Sequence, residues 1–126
     1  EGKDITIVAN MLMWYKAMQA AEELEKEGIS CEIIDPRTLV PFDYETVLNS
    51  IAKTGKLMIV HEDHYNGGWG AQLGSYVAEH AITSLDAPIV RVAAYDTPIP
   101  FSPTLENFVV PSVERITEEA RKLAKL

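Results

Sequence analysis

The sequence predicts a three-layer α/β/α domain around a mainly parallel sheet of about four strands, and three observations carry that reading. Four short runs rich in β-branched residues are separated by amphipathic helical patterns, the runs are almost continuously apolar rather than alternating, and 126 residues leave room for one ordinary core. Apolar runs without alternation belong to strands covered on both faces, as parallel strands are. The runs are Ile5 to Ala9, Cys31 to Asp35, Leu57 to His61 and Ile89 to Ala94. The first is long and apolar enough to need a neighbour on each side, so the expected spatial order, with right-handed crossovers, is 2-1-3-4.

The helical patterns follow between these runs. From about Leu12 to Glu27, Met13, Ala17, Ala20, Ala21 and Leu24 form one stripe, and Gly28 is placed to end it. Asp43 is a natural N-cap for a second helix, which carries Val47, Leu48 and Ile51 on one side and stops at Thr54-Gly55. A third runs from about Trp69 to Leu85 with Gly74, Val77, Ala78, Ala81 and Leu85 as its stripe. The proline-punctuated stretch Thr97-Pro98-Ile99-Pro100-Phe101-Ser102-Pro103 is expected to be a fixed, extended connection, since neither a helix interior nor a central strand accepts that density of proline. A last helix starts near Ser112 and buries Val113, Ile116, Ala120 and Leu123. It ends in Arg121, Lys122 and Lys125, cations suited to the negative end of the helix dipole.

Composition narrows the function classes. With 47% apolar and 24% charged residues this is the makeup of an ordinary globule. A single cysteine, Cys31, excludes an internal disulfide and a cysteine-based zinc site. Eleven basic against 19 acidic residues give a net charge of −8, which repels phosphate backbones and anionic headgroups. Nucleic acid and membrane surfaces are therefore poor partners, and basic proteins better ones. No apolar run approaches the length of a membrane span, and Glu1-Gly2-Lys3-Asp4 is not the start of a signal peptide, so a soluble, cytoplasmic chain is expected. The opening lacks methionine and falls in a polar turn, which suggests a piece of something longer.

In an open parallel sheet the ligand site lies beyond the carboxyl ends of the strands. There the richest segment is His61-Glu62-Asp63-His64-Tyr65-Asn66-Gly67-Gly68-Trp69-Gly70. Its two histidines and two carboxylates could ligate a metal, but on a continuing strand His61 and Asp63 face away from Glu62 and His64, so the set reads as loop polarity. Gly68, Gly70 and Gly74 open a helix after a strand, with Asp96 beyond the next strand as a possible ribose partner. That leaves an independent nucleotide- or anion-binding domain using Gly68 to Gly74 as the alternative reading, against close helix-to-sheet packing at the same glycines. Asp35-Pro36-Arg37-Thr38 reads as a stiffened strand exit and Cys31 as a packing residue. No acid, base or nucleophile is convincingly placed, so no catalytic, cofactor-binding or metal residue is assigned.

Read in order, the segments Asp4-Ile-Thr-Ile-Val8, Ala20-Ala-Glu-Glu-Leu24, Gly28-Ile29, Ile34-Asp-Pro-Arg-Thr-Leu39, Pro41-Phe-Asp43, Lys53-Thr-Gly-Lys56, Val60-His-Glu62, Gly67-Gly-Trp-Gly70, Leu85-Asp-Ala-Pro88, Arg91-Val92, Asp96-Thr-Pro98 and Pro100-Phe-Ser-Pro103 form one pattern. It resembles the C-terminal domain of the beta subunit of thiamine-diphosphate-dependent 2-oxo acid dehydrogenases, the transketolase C-terminal fold, over nearly the whole chain. Departures are Met11, where the family usually has glycine, and Pro36, where it often has leucine. The family's sheet also has an antiparallel strand ahead of the segment that starts here.

The resemblance implies a division of labour. In the full enzyme, thiamine diphosphate with Mg decarboxylates a 2-oxo acid and the acyl group passes to a lipoyl arm, the electron sink being the cofactor's own. The activating glutamate belongs to the preceding beta domain and the magnesium and diphosphate ligands to the alpha subunit, so this chain would bind no cofactor itself. Its implied work is assembly with an alpha subunit and a second beta subunit in an alpha2beta2 enzyme, and docking of the acyltransferase's small, basic subunit-binding domain. Such enzymes reside in the cytoplasm, or in the mitochondrial matrix of a eukaryote. Candidates for the two-fold beta contact are Tyr65, Trp69 and Tyr76. For docking they are Asp86, with Glu118, Glu119 and the carboxylate of Leu126.

Overall fold

Hydrogen bonds of a parallel ladder tie four strands in the order β2-β1-β3-β4, in a computed structural model that describes residues 1–126. The chain runs β1 Ile5–Ala9, α1 Met11–Lys26, β2 Cys31–Ile34, α2 Tyr44–Thr54, β3 Leu57–His64, α3 Trp69–Ala81, a 3-10 turn Ile82–Ser84, β4 Val90–Ala94, α4 Pro103–Val109 and α5 Val113–Ala124. The order and the parallel pairing are those the sequence predicts. Thr6 pairs in register with Glu32 on one side and Leu57 on the other, so β1 has the two neighbours its apolar run demanded.

Side chains that alternate along the strands build a core on each face of the sheet. Ile5, Ile7 and Ala9 join Met58, Val60 and Val92 beneath α1 and α5, meeting Met13, Ala17, Leu24, Ile116 and Leu123. Val8, Leu57 and Ile59 meet Val47 and Ile51 of α2 and Leu73 and Val77 of α3 on the other face. Asp43 caps α2 by accepting from Thr46 N at 3.1 Å, and Gly55 ends the helix in the left-handed region at φ 70°.

Three sequence expectations are corrected. Pro103 does not continue an extended connection but opens α4 at its first position, where a missing N–H costs nothing and the fixed φ suits a helix. β3 does not end at His61. It continues to His64, and between the Val60–Val92 and His64–Ala94 pairs it carries three residues where β4 carries one, a bulge that re-aims His61. α3 starts at Trp69 as expected but ends at Ala81, a 3-10 turn following over Ile82–Ser84, and its buried stripe is Gly70, Leu73, Val77 and Ala81, with Ala78 exposed.

Candidate functional site

The bulge at the end of β3 turns His61 inward. Its ring is 1% exposed, and Nδ1 lies 3.0 Å from the carbonyl oxygen of Asp63. A carbonyl can only accept, so the neutral ring carries its proton on Nδ1 and presents a bare lone pair at Nε2. That Nε2 has no hydrogen-bond partner. It faces the start of α3: a Cβ built on Gly70 would stand 2.5 Å from Nε2, and one on Gly68 2.6 Å from Cε1 of the same ring. The Trp69 ring closes the side at 5.2 Å between centroids. Burial holds the His61 pKa below its usual 6.5, opposed by the Asp63 carbonyl and carboxylate.

The turn between His61 and α3 is clamped from β4 and its exit. His64 Nε2 donates to the Thr97 carbonyl at 2.7 Å, and Tyr65 N donates to the Ala94 carbonyl at 3.0 Å. Asp96 accepts from Asn66 N at 2.9 Å and from Asn66 Nδ2. The Arg91 guanidinium lies 3.9 Å over the Tyr65 ring and donates to the Tyr65 carbonyl. Gly67 supplies the left-handed residue at φ 83° that lets the chain reverse into α3.

This geometry bears on the readings left open by the sequence. The space in front of Gly68 and Gly70, where a phosphate would approach, is filled by the His61 ring, so both glycines serve close packing. Gly74 has its nearest neighbours at 4.0 Å and is not required by contact. Asp96 is engaged as the clamp on Asn66. No group of three or more His, Cys, Asp or Glu side chains is gathered to hold a metal ion, and Glu62 points outward, exposed. The loop therefore does not fit a diphosphate or its magnesium.

The remaining candidates scatter. Trp69 is half-buried, 6.3 Å from Phe42, and Tyr76 stacks between Tyr44 at 3.7 Å and His80 at 4.0 Å, so of the aromatic set only Tyr65 is exposed. Asp86 shares a recess at the amino ends of the strands with Lys3, Lys56 and Ala124, close to the exposed Leu126. Glu118 instead lines a groove between α1 and α5 with Glu22, Glu23, Glu27 and Arg121, and Glu119 pairs with Lys122 at 2.8 Å. Arg121 holds Glu27 in a two-pronged ion pair that lowers the Glu27 pKa. Cys31 sits at the opposite end of the sheet from His61, its thiol pushed up to about 11 by burial, as a packing residue requires.

Two features escaped the sequence. Thr6, fully buried in β1, shares 2.7 Å hydrogen bonds with Ser50 and Thr54 of α2, and Ser50 donates on to Glu32, which Lys53 and Ser50 hold ionised against its burial. Hydroxyls four residues apart on the inner face of a helix were the available signal. The second is an apolar display at the carboxyl end: Phe101 at 103% exposure, Phe108 at 72% and Met11 at 74%.

The family described as Transketolase, C-terminal domain, matches residues 1–116. The pyruvate dehydrogenase E1 component subunit beta of Staphylococcus epidermidis is 46% identical over 121 residues, 96% of this chain and 37% of the relative. The acetoin:2,6-dichlorophenolindophenol oxidoreductase subunit beta of Cupriavidus necator is 44% identical over 99% of this chain and 37% of its own length. The 2-oxoisovalerate dehydrogenase subunit beta of Bacillus subtilis is 39% identical over 99% and 38%. The chain thus spans little more than a third of these relatives. Among solved structures, a split gene transketolase, an inactive beta4 tetramer, superposes with a TM-score of 0.85 at 31% identity, covering 100% of this chain and 40% of that one. A 2-oxoglutarate:ferredoxin oxidoreductase from Magnetococcus marinus shares the fold, with a TM-score of 0.66 at 14% identity.

Proposed function

This chain belongs to the transketolase C-terminal domain family, and from that premise we propose that it is the assembly and docking domain of the beta subunit of a 2-oxo acid dehydrogenase. The whole enzyme would decarboxylate a 2-oxo acid with thiamine diphosphate and Mg and hand the acyl group to a lipoyl arm. The cofactor's own chemistry would supply the electron sink, and its ligands would come from the alpha subunit and from the remainder of the beta subunit. One observation supports this division above others: the recess where an open α/β sheet usually takes a ligand is packed shut by His61, Gly68 and Gly70, while aromatic and methionine side chains stand exposed at the same end. Large exposed apolar groups of that kind suit contact with another protein surface.

In this reading the domain pairs with an alpha subunit and a second beta subunit in an alpha2beta2 enzyme, and Tyr65, beside Trp69 and Tyr76, contributes to the beta contact. The acyltransferase's basic subunit-binding domain docks at the amino end of the sheet, on Asp86 and the terminal carboxylate of Leu126, with Glu118 and Glu119 as outlying charge. The compartment is the cytoplasm, or the mitochondrial matrix in a eukaryote. The test uses the assembled alpha-beta enzyme. Asp86→Asn combined with an amidated or extended C-terminus should weaken docking of the subunit-binding domain and flatten the dependence of its association rate on salt, with decarboxylation unchanged. Unaltered affinity at low salt would place the docking face elsewhere.

A further inference from the structure

We propose that His61 is a proton-operated latch: the neutral ring, seated between Gly68 and Gly70, holds the turn 62–68 and the first turn of α3 on the sheet, and protonation at Nε2 expels the ring and frees both. The inference is independent of the assembly reading. It rests on the seat itself. Nδ1 is committed to the Asp63 carbonyl, so a second proton can only enter at Nε2. Nε2 is buried without a partner, and Gly68 and Gly70 lie so close that a Cβ on either would overlap the ring; the His64 carbonyl lies beside Gly68 but makes no bond to Nε2, so a new N–H has no acceptor within hydrogen-bond distance. A buried charged donor without an acceptor is far costlier than the bare lone pair it replaces.

The charged groups acting on the ring are few. Asp63, on the same strand, favours the charged form, and Arg91 of β4 opposes it. The start of α3 presents only Gly68, Trp69 and Gly70, and the β3 residue below is Ile59, none of which carries charge. Asp63 is the one group that favours the imidazolium, but its carboxylate is exposed and its carbonyl meets Nδ1 rather than Nε2, so release is the cheaper response. The exit is also defined: Glu62, Asp63, Tyr65, Asn66 and Gly67 are exposed, and Gly67 with Gly68 gives the turn its freedom to swing. None of the charges acting on the ring lies on β1 or α2, whose side of the core should stay closed.

The test follows the His61 Cε1 proton by NMR together with amide exchange and Trp69 fluorescence, from about pH 7.5 to about pH 4.5. One coupled proton predicts that protection factors at the Gly68 to Ala71 amides fall by about tenfold per pH unit below the onset, while β1 amides keep theirs. The fall should begin near the ordinary imidazole midpoint, where the released ring takes its proton, and end where His61 itself titrates, below that midpoint. His61→Phe fills the seat with a ring that takes no proton and should abolish the step; His80→Gln should leave it intact. Titration of His61 at the ordinary midpoint, or without loosening of the turn, overturns the proposal, as does a Trp69 step that survives in His61→Phe. If that variant does not fold, the unsubstituted chain decides: protection at Gly68 to Ala71 that falls ahead of a depressed His61 titration supports the latch, and His61 titration without that fall overturns it.

Discussion

Thr6 on β1 and His61 on β3 are polar side chains buried in neighbouring central strands, and the fold treats them oppositely. Around Thr6 every hydroxyl is matched, by Ser50, by Thr54 and through Ser50 by Glu32, in a network that ties β1 to α2. Around His61 the ring is packed just as tightly, yet Nε2 is left without a partner. The satisfied network specifies one arrangement and responds to pH only in acid, where Glu32, held ionised by Lys53 and Ser50, is protonated, whereas the unsatisfied His61 stores a response nearer neutrality. The difference separates the end of the molecule built to hold still from the turn built to yield.

The largest expected effect lies in the His61 seat. Gly70→Ala sets a Cβ 2.5 Å from Nε2 and should cost about 3 kcal/mol in urea unfolding, the upper range of overpacking. Gly74→Ala on the same helix meets nothing closer than 4.0 Å and should instead gain about 0.5–1 kcal/mol. Equal effects at the two positions would remove the seat from the account. Next comes Thr6→Val, which keeps the shape but removes the hydroxyl that Ser50 and Thr54 share, leaving Ser50 to Glu32 and Thr54 to the Lys56 carbonyl; a loss of about 1 kcal/mol is expected, the same at neutral and mildly acid pH.

A smaller effect sets the two regions apart by pH. Burial keeps folded His61 below 6.5, so the unfolded chain takes the proton more readily. Stability is therefore full above 6.5 and falls as the pH drops from there toward the folded value, and His61→Phe should remove that segment of the pH profile. The smallest concerns Met11, which opens α1 at φ 51°, a conformation that costs a side-chain-bearing residue. Met11→Gly should stabilise the chain by about 0.5 kcal/mol in the same assay, since glycine's own entropy offsets part of the relief.

The sheet was legible because Ile5 to Ala9 and Leu57 to Val60 leave no polar face, and burial on both sides dictates a parallel interior. Met11 was legible as an anomaly for a related reason: the family's glycine there marks a backbone turn that the structure holds at positive φ. α4 was missed because Pro103 was weighed as a breaker rather than as a first helical residue. The His61 seat was half visible. Gly68 and Gly70 announced a close approach, but sequence spacing cannot say whether a phosphate or a side chain makes it, and the bulge that turns His61 inward depends on pairing with β4. The Thr6 network is a tertiary contact between β1 and α2, and its one local trace, Ser50 and Thr54 four residues apart, does not say what they meet.

The claim at the centre is that this domain assembles and docks rather than binding cofactor. Calorimetric titration of the purified chain with thiamine diphosphate and Mg, and separately with NAD and ATP, tests it most directly. No saturable heat is predicted for any of them, because the His61 ring occupies the loop that would receive their phosphates; saturable binding of thiamine diphosphate or a nucleotide at micromolar levels, lost in Gly70→Ala, would contradict it.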